Sequence, residues 1–482
     1  MDKINLYNIA YKHLINCIHF GLYPTGSNLP TIPELCKTFN VSKATIHGAL
    51  RLLKEENYIS LSQGRSAIVT YNVNKEECRT KYRAYSYATK DALLDLCDTM
   101  LLIWPEAMLL GLKLCSDDDL EKLDEILGRM SPDNEYPFFE FFFYILKVLE
   151  NPLFINLYLS TCFFGHPTIM ILRDESYIHD CMAYFKKTSS QILSLCKESD
   201  YGKIKELLLL LYQKQMEGVH LYYESLPQPN CPVDPIPYEW NYFSERPLVS
   251  FNLAMEFLWK IYFSYRNQGF LPSFASLAKQ YSVPLITVRR AVKVLGDIGI
   301  VETVPGRGIR ILAGLDSQVS ISKFTTPNLK KALIQYLQSA QIILVICKDV
   351  TYSVFPALGD CSIQNTISWL QNIHDSKDYY MTFGICFSLL SEKAQSPALR
   401  QILVGLMHFQ YLGYPLSDIK PYDYRFDSQS TLNLLKSLEE KDMDLFVQEL
   451  MLLAMEVFKV GKEKLIAGGI HEAEAIALPP LR

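Results

Sequence analysis

The sequence predicts a mainly α protein assembled from two similar halves, each a small helical module with a short β-wing followed by an all-helical bundle. Two observations carry this. First, residues 29–68 and 271–310 overlay without a gap at a constant offset of 242, with ten of the forty positions identical. The identities are Leu29/Leu271, Pro30/Pro272, Leu35/Leu277, Lys37/Lys279, Val41/Val283, Thr45/Thr287, Ala49/Ala291, Leu53/Leu295, Gly64/Gly306 and Arg65/Arg307. Second, the long stretches after each module repeat apolar residues at intervals of three and four, the helical period. Leu93-Leu94, Cys97 and Leu101-Leu102 show it in one half, and Leu432, Leu434-Leu435 and Leu438 in the other. A weaker echo links these stretches. Phe138-Phe139 precedes Asn151-Pro152-Leu153, as Tyr379-Tyr380 precedes Ser396-Pro397-Ala398-Leu399. The whole unit therefore reads as an internal duplication.

In chain order, the first module spans 1–72, and a helical region follows over 76–224. Residues 225–250 carry prolines at 227, 229, 232, 235, 237 and 247 and read as an extended connector. The second module spans 251–314 and the second helical region 326–464. The tail, 465–482, is rich in small residues and is expected to be mobile.

Within each module the pattern is helix, helix, turn, helix and a two-stranded wing. In the first, Ile32–Phe39 is a short helix, Asn40-Val41-Ser42 a tight turn, and Ser42 the cap of the next helix, Lys43–Glu55. Ile46, Ala49, Leu50 and Leu53 make the apolar face of that helix. Lys43, Thr45, His47 and Arg51 form a polar set able to enter a major groove. Tyr58–Leu61 and Ala67–Tyr71 alternate around Ser62-Gln63-Gly64-Arg65, a hairpin with arginine at its tip. The second module repeats this with Thr287, Arg289, Arg290 and Lys293 on its helix. Its wing tip is Pro305-Gly306-Arg307-Gly308, followed by Arg310. Arginine reads guanine bidentately or clamps phosphate, and glycine lets the wing approach the backbone. The predicted partner is double-stranded DNA.

Charge agrees with this partner. The net charge of −5 hides +3 in residues 1–72 and +5 in residues 250–313, which leaves −13 for the remainder. Two basic modules on an acidic body suit nucleic-acid contact confined to the modules. The twelve cysteines form no CxxC pair, and no leader-like run opens the chain, so free thiols in a reducing cytoplasm are expected. Apolar runs such as 138–148 and 207–212 are too short to span a bilayer, so no membrane partner is expected.

The modules resemble the winged helix-turn-helix domains of the GntR family of bacterial transcription regulators. The first matches at Leu29-Pro30, Glu34-Leu35, Val41-Ser42-Lys43, Thr45-Ile46, Ala49-Leu50, Leu53, Glu56, Ile59, Gly64 and Val69. The second matches at Leu271-Pro272, Leu277, Val283, Thr287-Val288-Arg289, Ala291, Leu295, Gly299-Ile300, Gly306 and Gly308. The helical regions resemble the effector-binding domains of the FadR-like, or FCD, branch, through an aromatic-rich helix ending in Asn151-Pro152-Leu153. The resemblance implies a DNA-binding regulator modulated by a small-molecule effector. Departures are local. The family's usual arginine in the first helix of the motif falls at Pro33 and Ala275. Pro284-Leu285 replaces Ser-Arg, and a metal-binding histidine of that branch would fall near Phe142 and near Phe387. No metal or other cofactor is therefore expected.

The polar helix faces are weighed against ordinary solvated faces, and the repeat favours DNA contact. His166 and His220 read as structural, and the aromatic run 138–144 as core or a helix–helix interface. Glu140 within that run needs a partner if buried. No catalytic motif occurs in a usable context, so an enzyme is not expected. The reading is a single-chain pseudo-dimer facing two half-sites about one helical turn, ~34 Å, apart. The alternative is a non-enzymatic interaction or architectural protein with degenerate modules. Further pairing of chains stays open.

Overall fold

The protein's structure, a computed structural model, describes residues 6–19, 23–39, 41–62, 66–72, 75–130, 136–171, 176–226, 233–240, 249–265, 268–312, 327–417 and 428–479. It is 78% helical with small strand pieces, the mainly α class that the periodicity predicts. The chain divides into two compact units. One is Met1–Glu245 with Ser396–Ala398, the other Arg246–Gln395 with Leu399–Arg482.

The first unit opens with α1 (Leu6–His19), α2 (Ile32–Phe39) and α3 (Lys43–Glu55). Helix α2 starts at a capping box. Thr31 donates its backbone N–H (2.7 Å) and hydroxyl (2.8 Å) to the Glu34 carboxylate, satisfying groups that a helix start leaves orphaned. Ser42 caps α3 by accepting from the Thr45 N–H at 3.2 Å. Asn57, at a φ of +63°, then reverses the chain into β1 (Ile59–Ser60), which pairs antiparallel with β2 (Ile68–Val69), Ile59 opposite Val69. The wing strands are shorter than the alternation predicts. The module core joins Leu14, Leu29, Leu35, Phe39, Ile46, Leu50, Leu53, Ile59 and Val69.

The bundle of this unit comprises α4 (Lys75–Leu114), α5 (Asp117–Gly128), α6 (Tyr136–Lys147), α7 (Pro152–Ile171), α8 (Ser176–Glu198) and α9 (Tyr201–Ser225). Helix α9 packs on α4 and α8. Asn151, fully buried, starts α7 by accepting from the N–H groups of Leu153 and Phe154 at 3.0 and 3.1 Å. The aromatic run of α6 is core: Phe141 and Phe142 are buried, and Phe142 packs on Phe185 and Tyr212. Glu140 finds its partner in Arg129 at 2.9 Å. His220 is exposed rather than structural, and the side chain of His166 lies outside the described ones. Residues 233–240 of the connector adopt no helix or strand but lie docked on this bundle. Ile236 donates its N–H to the Ala88 carbonyl (2.7 Å), and Trp240 Nε1–H donates to Asn156 Oδ1 (2.8 Å).

The second unit opens with α10 (Val249–Lys260), extended by a π-helical turn over Ile261–Tyr265. Then come β3 (Phe270–Leu271), α11 (Phe274–Gln280), α12 (Leu285–Asp297), β4 (Val301–Val304) and β5 (Gly308–Ile311), with strand order β3-β5-β4. The third strand is not legible in the sequence, because only Phe270-Leu271 precede the Pro272 that ends it. Its bundle runs through α13 (Pro327–Val354), α14 (Asp360–Ser376), α15 (Thr382–Lys393), α16 (Pro397–Gln410), α17 (Gly413–Ser417), α18 (Ser428–Glu440) and α19 (Met443–Ala467). Residues 329–357 are long and apolar enough to cross a membrane by length and composition, yet this is the core helix packed on α19, with Leu333, Leu337, Ile342 and Ile346 buried. Gly413 and Gly461 meet the Tyr336 ring so closely that a Cβ at either would lie within 2.8 Å of it.

The expectation of a mobile tail is corrected over residues 465–479. Ile470, Ala473 and Ile476 are buried, Lys462 Nζ donates to the Ile476 carbonyl (2.6 Å), and Gln341 Nε2 donates to the Ala477 carbonyl (2.7 Å). Apolar residues spaced three apart bury one face of a 3-10 turn, which small-residue composition alone conceals.

Candidate nucleic-acid interface

Helix α3 packs against α1 and α2, which leaves its outer face to solvent. Lys43, His47 and Arg51, at successive steps of four, are all exposed on that face. Thr45 departs from the expected set. It is 8% exposed, and its hydroxyl lies 3.0 Å from that of Ser42 in the helix cap. Capping chemistry turns this side chain inward, so the polar row is Lys43, His47 and Arg51. Arg51 lies 3.7 Å from Glu55, an exposed i,i+4 pair. Gly64 and Arg65, the expected wing tip, lie outside the described residues. The base of the wing is held by His19, whose Nε2 lies 3.2 Å from the Tyr58 hydroxyl, with Tyr58 and Tyr71 in ring contact. Burial, then the charge of Lys81, pushes the His19 imidazole below its usual value. These aromatics were missed by sequence reasoning, since their contact depends on the wing folding back onto α1.

Helix α12 stands on α10 and α11. Val288, Ala291, Val292 and Leu295 are its buried face. Arg289, Arg290 and Lys293 are exposed together on the opposite face, and Thr287 is half-buried at its edge. The residue before the helix is Pro284, which makes no side-chain cap, as the replacement of serine predicts. In the wing, Val304 accepts from the Arg307 N–H at 3.0 Å across a turn where Gly306 and Gly308 have φ of +72° and +113°. Those angles strain any residue with a Cβ, and a Cβ at either would meet nothing within 4 Å, so conformation rather than space demands glycine there. Arg307 is exposed at the tip. Arg310 is instead paired across the strands with Glu302, its register partner, at 2.5 Å.

Each module is joined to the bundle of its own unit by aromatic contacts. In the first, His13 of α1 packs on Phe163 of α7, ring centroids 4.6 Å apart. In the second, Trp259 stacks on Tyr411 (5.0 Å) and Tyr262 on Tyr414 (5.4 Å). The positions where a metal-binding histidine would fall, Phe142 and Phe387, are buried among other rings, Phe387 stacked on Phe383. No group of three potential metal ligands occurs among the described residues.

A capped second helix presenting exposed basic side chains, set on a helix-turn-helix and followed by a wing, is the arrangement of a DNA-binding module. Residues 6–69 match the family described as bacterial regulatory proteins, gntR family, and form its helix-turn-helix domain. Among solved structures, the chain is similar to a GntR protein of Streptococcus agalactiae at 19% identity, covering 44% of this chain and 99% of that one, with a TM-score of 0.23. It is similar to E. coli McbR/YncC at 16% identity, covering 46% of this chain and 99% of that one, with a TM-score of 0.26. A GntR-family regulator from Pseudomonas syringae pv. tomato matches at 20% identity over 47% of this chain and 90% of that one, with a TM-score of 0.20. No curated protein matches the chain.

Proposed function

We propose that the chain is a cytoplasmic, sequence-specific transcription regulator that works as a single-chain pseudo-dimer, the product of a tandem duplication. The observation that carries this is the second helix-turn-helix, with Arg289, Arg290 and Lys293 exposed on one face and Arg307 at its wing tip. The offset of 242 supports duplication well beyond the aligned sequence. It separates α3 from α12, both 13 residues long, and the left-handed residues Asn57 and Gly299 that end them. It returns at the far end of the bundles, where left-handed Ser199 and Lys441 precede the helix caps Asp200 and Asp442, and α9 and α19 are each 25 residues long.

The modules differ, so the preferred operator is asymmetric. A small-molecule effector in a helical domain shifts DNA affinity, a coupling of typically ~1–3 kcal/mol, through the aromatic joints between module and bundle. Supporting an effector in the first bundle, Trp104 Nε1, Ser189 Oγ, Tyr212 Oη and Gln215 Nε2 are buried without a hydrogen-bond partner among the described residues. Leaving such groups unpaired is costly, and buried water or a guest offering acceptors relieves it.

The test is selection of bound sequences from random duplex DNA by the full chain at two salt concentrations. The expected result is a two-part asymmetric motif, one half lost with Lys43→Ala/Arg51→Ala and the other with Arg289→Ala/Arg290→Ala. Binding without any enriched sequence overturns the proposal and favours an interaction or architectural protein with worn modules.

A further inference from the structure

The most exposed large apolar side chain among the described residues is Ile286, 54% exposed, and its neighbour Leu285 is 41% exposed. Both lie in the first turn of α12. At 100° per residue, Ile286 falls in the middle of the outer face of this helix. Arg289 and Arg290 lie one turn on and Lys293 two turns on along the same face. Single exposed apolar side chains are ordinary on a protein surface, so what sets Ile286 apart is its place among three cations, a setting that disfavours an apolar protein partner. It suits a polyanion that presents an apolar group at its recognition surface. Duplex DNA has one such group in the major groove, the C5-methyl of thymine. The N-terminal turn of a recognition helix is also the part that meets base edges.

We propose that Ile286, supported by Leu285, is a base-reading contact that selects thymine through its C5-methyl in the half-site of the second module. This rests on the reading of that module as DNA-binding. The rise from Ile286 to Arg290 is about 6 Å along the helix, less than two base-pair steps of ~3.4 Å. The thymine therefore lies within about two steps of the base or phosphate that the arginines hold. The position 242 earlier is Ala44, also exposed, whose single methyl offers far less apolar surface. Thymine dependence thus belongs to the second half-site and makes the two halves of the operator chemically unlike.

The full chain is titrated on its selected duplex with each thymine of the second half-site replaced in turn by deoxyuridine, which removes the methyl and keeps the hydrogen-bonding edge. Affinity should fall about fourfold per buried methyl at one or two positions. Ile286→Ala should bind the thymine and deoxyuridine duplexes alike. Equal binding of the two duplexes by the unsubstituted chain overturns the inference, as does discrimination that persists in Ile286→Ala. If in either case Arg289→Ala/Arg290→Ala still abolishes recognition of the half-site, the DNA-binding reading of the module stands and only the methyl contact fails. If that double variant leaves recognition intact, the reading of the module itself fails.

Discussion

At the scale of single residues, α3 and α12 differ in what holds them and in what they present. Ser42 caps α3, whereas Pro284 offers α12 no such bond. A cap of this kind contributes about 1 kcal/mol, so the second helix relies more on its packing. The cations differ as well. Arg51 lies beside the carboxylate of Glu55. Arg289, Arg290 and Lys293 gather on one face. Replacing Arg289 and Arg290 by alanine should therefore weaken DNA binding more than Arg51→Ala does. It should also reduce the slope of log K against log salt by about 1 for each phosphate that is no longer neutralised. Titrations at four salt concentrations check this, and equal weakening with equal slopes would remove the ranking.

At the scale of elements, what the sequence showed and what it hid divide along a physical line. The helix-turn-helix was legible because its signals are local: a serine cap at Ser42, a buried stripe at Ile46, Ala49, Leu50 and Leu53, and glycine in the wing turn. Thr45 was misplaced because a helical wheel assigns a side chain to a face and ignores its competing bond to Ser42. The tail was misjudged, and the docking of the connector was not foreseen, for a different reason. Proline content sets local stiffness, but docking depends on partners far along the chain. Tyr238 and Trp240 are buried on a bundle formed 70 to 150 residues earlier, Tyr238 Oη lying 3.2 Å from Ser160 Oγ. Trp240→Ala removes a buried indole and strands Asn156 Oδ1, so it should lower stability by about 3–5 kcal/mol. Trp240→Phe, which keeps most of the apolar area, should lose about 1–3 kcal/mol. Urea denaturation of both variants measures this. A shift below about 0.5 kcal/mol in Trp240→Ala would mean that the docked segment contributes little.

At the scale of the whole molecule, two basic modules on a body of opposite charge bring a consequence that neither module has alone. A lone winged helix holds a half-site weakly, and regulators gain affinity by presenting two at once. In the proposed pseudo-dimer covalent linkage replaces dimerisation, so the second module engages at an effective concentration of about millimolar whatever the protein concentration. The acidic remainder, at −13, opposes non-specific attachment of the bundles to phosphate, so the gain falls on sites that engage both modules. One chain should therefore saturate one operator, with a binding curve free of the steepening that assembly of two chains produces. Disabling the second module with Arg289→Ala/Arg290→Ala should cost about 10²- to 10⁴-fold in affinity on the full operator, and far less on a duplex carrying only the first half-site. Sedimentation of the complex at stoichiometric concentrations checks the first expectation, and titration of the two duplexes checks the second. Two chains per operator would show that the linked modules do not close on one site. Equal weakening on both duplexes would show that the arginines stabilise the chain rather than hold DNA.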